Sequence, residues 1–284
     1  MSENKQVETV KKDITVQVLD KINLFKESGE LTIPSNYSPE NALKSAYLVL
    51  TELKDKSGKP IFEVCSKTSI ANSLFSMVTW GLSPMKNQVY FIPYGDKLQI
   101  SKSFLGNIAI AKRTANVKEV NAVVVYKNDS FVYSVNPKTG IHEITEHQTK
   151  LENINDADII GGYAVVIFND GSTKVEIMTI KQVETSWNQG YAKGKSPAHT
   201  NFRAEMVKKT IINRALKTVI GSSDDSALYE EDEIIQPTAE NELKREFNTQ
   251  ANAEAIDFEE IKEEPKKEEK KIVEEPKSFE EAGF

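Results

Sequence analysis

Five cations and four aromatic side chains share the stretch Gly81–Ala115, GLSPMKNQVYFIPYGDKLQISKSFLGNIAIAKRTA. Lys86, Lys97, Lys102, Lys112 and Arg113 are interleaved with Tyr90, Phe91, Tyr94 and Phe104, and Asp96 is the one acid among them. Cations neutralise phosphates and flat rings stack on bases, so this mixture suits a polyanion with exposed π-faces, as single-stranded nucleic acid is. The other reading is a half-buried hairpin whose lysines only solvate one face. A second basic group lies downstream in Asn201–Ile220, NFRAEMVKKTIINRALKTVI. At about 100° per residue, Ala204, Ile211, Ala215 and Val219 share an apolar face, while Arg203, Arg214 and Lys217, with Thr210 between them, fall in a separate arc about 60° wide. Lys209 lies to one side. Lys208 projects from the middle of the apolar face, either as a snorkelling stem or as a cation bordering a cleft that holds a ligand.

Other chemistries find little support. His142, His147 and His199 are scattered, read as ordinary surface or turn histidines, and have no cysteine partner at zinc-ligand spacing. No metal site is expected, and no catalytic residue stands out as a nucleophile elbow or a paired carboxylate. Single acidic residues could still hold Mg²⁺, which keeps a nuclease as an alternative. Gly190-Tyr-Ala-Lys-Gly194-Lys195-Ser196 resembles a phosphate-binding P-loop but has three residues between its glycines where the motif has four. Pro197 follows where a helix N-terminus should aim its amides at the phosphates. ATP binding is therefore not expected, and Tyr191, Lys193 and Lys195 read as a flexible basic arm.

These residues need elements to position them. Ile14, Val18, Ile22 and Phe25 recur at helical spacing until Gly29, and Ser38-Pro39 reads as an N-cap with proline at the first helical position, opening a helix toward Lys54. Another helix is predicted over Lys67–Trp80, stopped by Gly81. A hairpin follows, with strands Gln88–Pro93 and Lys97–Ile100 around Tyr94-Gly95-Asp96. Pro93 removes a ladder donor, which favours an edge or protruding hairpin, and Tyr90 and Phe91 are read as holding it in place. Ser101 or Ser103 caps the next helix. From Val117 to Thr179 the apolar period changes to two, and turn signals separate five strand candidates, read as a mostly antiparallel meander. A short helix, IKQVETSW, leads into the loop Asn188–Thr200 and then the basic helix.

The 284-residue chain carries a formal charge of −7, yet Ala227–Phe284 holds 19 acids and 8 bases, leaving 28 bases against 24 acids in the rest. The body is thus mildly basic and the acidity is a tail, so the low overall pI does not argue against a polyanionic partner. Residues 1–12 are expected to be disordered, 13–222 to form one domain, and 223–284 to be a disordered acidic tail. That tail reads either as a solubilising extension or as a competitor for basic grooves and a partner-binding segment. No apolar run approaches the roughly 18 residues that would span a bilayer, and the N-terminus lacks the apolar region of a secretory signal. The one cysteine, Cys65, is read as a small packed residue, in keeping with a reducing cytoplasm.

Three blocks carry a resemblance: GLSPMKNQVYFIPYG, KSFLGNIAIAKRT and AEMVKKTIINRALKTVI, in that order. Together they are similar to the RecT/Redβ family of phage and prophage single-strand DNA annealing proteins, over roughly residues 38–220. The first matches that family's Gly-Leu-x-Pro segment and Tyr-x-Ile-Pro-Tyr-Gly hairpin. The second resembles its Gly-containing Ile-x-(Leu/Ile)-Ala-x-Arg helix, and the third its Glu-Met-x-Lys-Lys-Thr helix. Leu105 stands where a lysine is frequent and Asn107 where an apolar residue is common.

The resemblance implies an α+β fold, an antiparallel sheet with a protruding β-hairpin backed by helices, with a DNA groove. It also implies ATP-independent annealing of complementary single strands during recombination, on an oligomeric ring or helical filament in the cytoplasm of a bacterial host. No cofactor is required, with Mg²⁺ as a modulator of DNA binding. Expected partners are single-stranded DNA and the annealed duplex, further copies of the chain, a phage exonuclease and the host single-strand-binding protein, with no membrane. A nuclease or ATP-driven recombinase, or a passive single-strand coat, are the alternatives. The expected contacts are Lys86, Lys97, Lys102, Lys112, Arg113, Lys193, Lys195, Arg203, Lys208, Lys209, Arg214 and Lys217, with Gln99 and Asn107 as donors and Phe104 or Tyr94 against bases. On this reading Gly81–Ala115 and the last helix form two walls, and the meander sets their separation.

Overall fold

The computed structural model describes residues 2–190 and 192–223, with side chains from Ile14 onward; the tail from 224 to 284 lies outside the described residues. Eight helices and seven strands follow one another there: α1 (Ser2–Glu27), α2 (Pro39–Glu52), α3 (Ile61–Val64), α4 (Lys67–Thr79), β1 (Val89–Tyr94), β2 (Lys97–Lys102), α5 (Phe104–Thr114), β3 (Val117–Tyr126), β4 (Ser130–Val135), β5 (His142–Gln148), β6 (Ile159–Phe168), β7 (Thr173–Thr179), α6 (Ile180–Gln189), α7 (Pro197–Asn201) and α8 (Arg203–Gly221). The class is α+β with antiparallel pairing throughout. α1 begins at Ser2 rather than near residue 13, because no glycine or proline interrupts the chain between Ser2 and Gly29.

Local signals explain most boundaries. The Asn41 N–H donates to the Ser38 hydroxyl at 3.3 Å, with Pro39 opening α2. Ser66 and Ser103 cap α4 and α5 in the same way, and Thr179 with Gln182 forms a full capping box on α6. Gly81 takes φ 61° after α4. Gly95, also at φ 61°, occupies the first position of the two-residue turn closed by the Tyr94–Lys97 pair.

The hairpin β1–β2 is strapped to α4 rather than projecting from it. Pro93 faces Leu98 in the ladder, and the outward backbone groups of Leu98 are satisfied from α4. The Leu98 N–H donates to the Ser69 hydroxyl at 3.0 Å, and the Ser73 hydroxyl donates to the Leu98 carbonyl at 2.8 Å. Pro93 thus sits at a pair that exchanges no ladder bond, where its missing N–H costs nothing.

The predicted meander divides in two. β3, β6 and β7 form a three-stranded sheet in the order β3-β6-β7, and β4–β5 leaves it as a separate hairpin. The reason is patterning: β4 and β5 are half-buried or exposed along their whole length, whereas β3 and β6 bury Val124, Ala164 and Val166 on one face. That face receives Ile211, Ala215 and Leu216 of α8. Gly162 makes the approach possible, since a Cβ there would lie 2.6 Å from the Val123 carbonyl oxygen and 2.8 Å from Ile211 Cδ1. A second layer of α1, α2 and α4 buries Val18, Ile22, Leu43, Leu50 and Leu74. Cys65 is packed here too, and burial, followed by Asp96 and Asp55, pushes its thiol up.

The β4–β5 hairpin is anchored at its base by a polar and aromatic cluster. Phe131 stacks on Tyr163 at 5.6 Å between ring centres. His147 lies between Tyr163 Oη, 3.0 Å from Nδ1, and Asp129 Oδ2, 3.2 Å from Nε2. His147, expected at a surface or turn, is therefore a half-buried anchor.

Candidate nucleic-acid interface

The junction of β2 with α5 positions the first group of residues. The Ser103 N–H donates to the Gln88 carbonyl at 2.9 Å, and its hydroxyl donates to the Asn87 carbonyl at 2.6 Å while accepting from the Gly106 N–H at 3.1 Å. Gly106 packs so closely on the residue before β1 that a Cβ would lie 2.2 Å from the Gln88 carbonyl oxygen. Lys102 and Phe104 flank this pinned point. The Lys102 ammonium stands 4.7 Å from the ring centre of the buried Trp80.

α5 packs directly against α8. Asn107 Nδ2 donates to Asn213 Oδ1 at 3.0 Å, and the Lys209 ammonium lies 5.5 Å from the Phe104 ring centre. The two basic segments thus form one continuous surface instead of two walls separated by the sheet. Phe104, Asn107 and Lys209 are gathered at it, with Asn213 added, and Lys102 lies two residues before Phe104 at the end of β2. Lys217 follows Asn213 by one turn on the exposed side of α8, and Lys112 occupies the exposed side of α5.

The hairpin offers a second aromatic and basic face. Lys97 and Gln99 alternate with the buried Leu98 and pair with Tyr94 and Ile92. Phe91 is buried, as a hairpin anchor should be, but Tyr90 is 53% exposed and shares the outer face with Tyr94, Lys97 and Gln99. The alternation of strand residues carried this signal. Lys86 is exposed on the short turn before β1.

Four cations have other positions. Arg113 donates to the carbonyls of Gly81, at 2.9 Å, and Trp80, closing the C-terminus of α4. Lys208 points to the sheet side of α8, half-buried and 2.9 Å from Glu205. It lies about 120° around the helix from Arg214. Burial and the charge of Asp156 push the nearby Tyr126 hydroxyl up, while Lys208 opposes them. Arg203 pairs with Glu184 and lies 5.4 Å from the Trp187 ring centre. Arg214 donates from Nε to Glu176 Oε1 at 2.9 Å.

The loop expected to be a flexible arm is a pair of tight turns. The N–H groups of Lys193 and Lys195 donate to the carbonyls of Gly190 and Ala192, and Gly194 lies against Trp187. Lys193 and Lys195 themselves are exposed, and Tyr191 lies outside the described residues. Trp187 also donates to Thr210 Oγ1 at 2.7 Å and meets His199 edge-on at 4.7 Å. Burial and the adjacent Arg203 charge lower the His199 pKa.

Beside Arg214 lies an open cleft of about 390 Å³ lined by Thr179, Lys181, Gln182, Thr185, Ser186 and Gln189. None of these six was expected at a site. Their polar stripe along α6, recurring at i, i+4 and i+8 from Lys181 to Gln189, was the available signal.

A family model described as the RecT family matches residues 43–249. The match covers most of the described domain and continues 26 residues past Ser223, so the boundary expected near residue 222 does not end the family's share of the chain. Protein RecT of Escherichia coli (strain K12) is 27% identical over 244 residues, covering 81% of this chain and 86% of that protein. The joined α5–α8 surface carries two of the three sequence blocks that resemble the family. The chain belongs to the RecT family of recombination and DNA-annealing proteins.

Proposed function

We propose that this chain binds single-stranded DNA and anneals complementary strands without ATP, acting as a non-enzymatic scaffold on a ring or filament of its own copies. The observation that supports this most is the α5–α8 junction. There the Lys209 ammonium lies 5.5 Å from the Phe104 ring centre and Asn107 meets Asn213, with Lys102 two residues before Phe104. Cations directed at the backbone carry no base information, which suits annealing of any sequence. Pairing releases about 1.4 kcal/mol per base step, so the reaction runs downhill once phosphates are neutralised and base edges left open.

The same reading assigns an exonuclease that exposes single strands and a host single-strand-binding protein as partners, and the cytoplasm of a bacterial host as the setting. Mg²⁺ acts only as a modulator. Among the described residues no helix is long and apolar enough to cross a membrane.

The test mixes labelled complementary oligonucleotides with the full-length protein, with and without ATP and Mg²⁺. Accelerated pairing without nucleotide supports annealing. Slowed pairing would identify a passive coat, strand loss with Mg²⁺ a nuclease, and a requirement for ATP a motor-type recombinase. Electron micrographs after sequential addition of the two strands decide whether rings or filaments form.

A further inference from the structure

The cleft between α6 and Arg214 is chemically unlike the α5–α8 surface. Its lining contains two cations, two carboxamides and three hydroxyl side chains, with no carboxylate and no aromatic ring. Lys181 is exposed and has no ion-pair partner among the described residues. Gln182 accepts the Thr179 N–H through Oε1 at 2.9 Å, which leaves its NH₂ group as a donor. Arg214 engages Glu176 through Nε alone, so both terminal NH₂ groups of the guanidinium remain to donate. Glu176 restrains the arginine through that one bond.

Donors of this kind without rings match a phosphodiester whose bases are held elsewhere. The α5–α8 surface differs in carrying an aromatic ring, since its Lys209 stands beside Phe104. Arg214 and Lys209 are five residues apart on α8, about 140° around the helix, so they face opposite flanks. One strand cannot place the same phosphate on both.

We propose that the α6–α8 cleft binds the backbone of the second, complementary strand, while the α5–α8 surface holds the first. This rests on the annealing function proposed above. Once the incoming bases pair, the second strand needs phosphate contacts and no stacking platform. Those contacts are what Lys181, Arg214, Gln182 and Gln189 supply.

The experiment uses full-length protein and the exposed-site variants Lys181→Glu and Gln189→Glu. Affinity for one labelled mixed-sequence oligonucleotide is measured first, and retention of its unlabelled complement afterwards, both across a salt series. The expected result is about tenfold weaker retention of the complement, with a salt slope lower by about one for Lys181→Glu, and first-strand affinity within about twofold of the parent. Unaltered retention in both variants overturns the proposal, and so does an equal loss of first-strand affinity, which would merge the cleft with the first-strand surface. Inorganic phosphate or a mononucleotide that binds the parent but not Lys181→Glu, without affecting complement retention, would identify a small-anion site and also overturn it. If the parent protein itself neither binds nor anneals, the proposed function fails and not the assignment of the cleft alone. Matching thermal melts of parent and variants exclude a folding defect.

Discussion

The Lys209 ammonium lies 5.5 Å from the centre of the Phe104 ring, bringing together residues more than one hundred positions apart at the seam of α5 and α8. A cation over a ring is held in place without a carboxylate, so its charge stays available to a phosphate. The lysine gains direction and the ring gains a fixed edge.

Lys102→Ala and Lys209→Ala should each weaken single-strand binding and lower the salt slope by about one. Lys208→Ala should leave the slope as it is, because Lys208 faces the sheet and pairs with Glu205. Fluorescence anisotropy over a salt series separates the three. Equal slopes for Lys208→Ala and Lys209→Ala would show that the two flanks of α8 are not distinguished by DNA.

Arg113→Met should act on stability first. Its guanidinium caps the Trp80 and Gly81 carbonyls, and loss of charge-assisted bonds of this kind costs about 1.5–3 kcal/mol. Denaturant unfolding reads that loss. An unchanged midpoint with a lower salt slope would assign Arg113 to DNA instead.

Gly106→Ala should destabilise by about 2 kcal/mol or more, because the new Cβ meets a backbone oxygen that cannot swing away. The same strain pushes α5 off β1 and loosens the Lys102–Phe104 corner. Both a lower melting temperature and weaker strand binding are therefore expected. A normal melt would show that the β1–α5 contact yields.

The anchor of the β4–β5 hairpin should be acid-sensitive. Burial alone would raise the Asp129 carboxyl, but bonds from the Tyr126 N–H, Asn153, His147 and Thr149 outweigh it and hold the pKa below the usual carboxylate range. A depressed folded-state pKa stabilises fully above the unfolded value, about 3.9, and that stability is lost as pH falls through the folded value. Stability should therefore fall in that acid window, and Asp129→Asn should remove this component while lowering stability at neutral pH. Thermal melts from pH 7 down to pH 3 check both; parallel pH profiles for parent and variant would refute the assignment.

The sequence by itself determined most of the elements and their order, though not α3, α7 or the first turns of α1. Ser38, Ser66, Ser103 and Thr179 cap helices through bonds that close within three residues, Gly81 and Gly95 supply left-handed turns, and all five strands between Val117 and Thr179 follow from period two. These signals are legible because the interacting groups are near one another in the chain. The family was legible for the same reason, since its blocks are contiguous. Tertiary structure alone decided what each charged side chain does. Arg113 reaches back 32 residues to Gly81, Asn107 meets Asn213, Arg214 meets Glu176, and His147 is enclosed between Asp129 and Tyr163. Periodicity fixes the face of a helix or strand on which a residue lies. It does not say which element covers that face, and the covering partner determines whether a cation caps a helix, pairs with an acid or stays open to a phosphate.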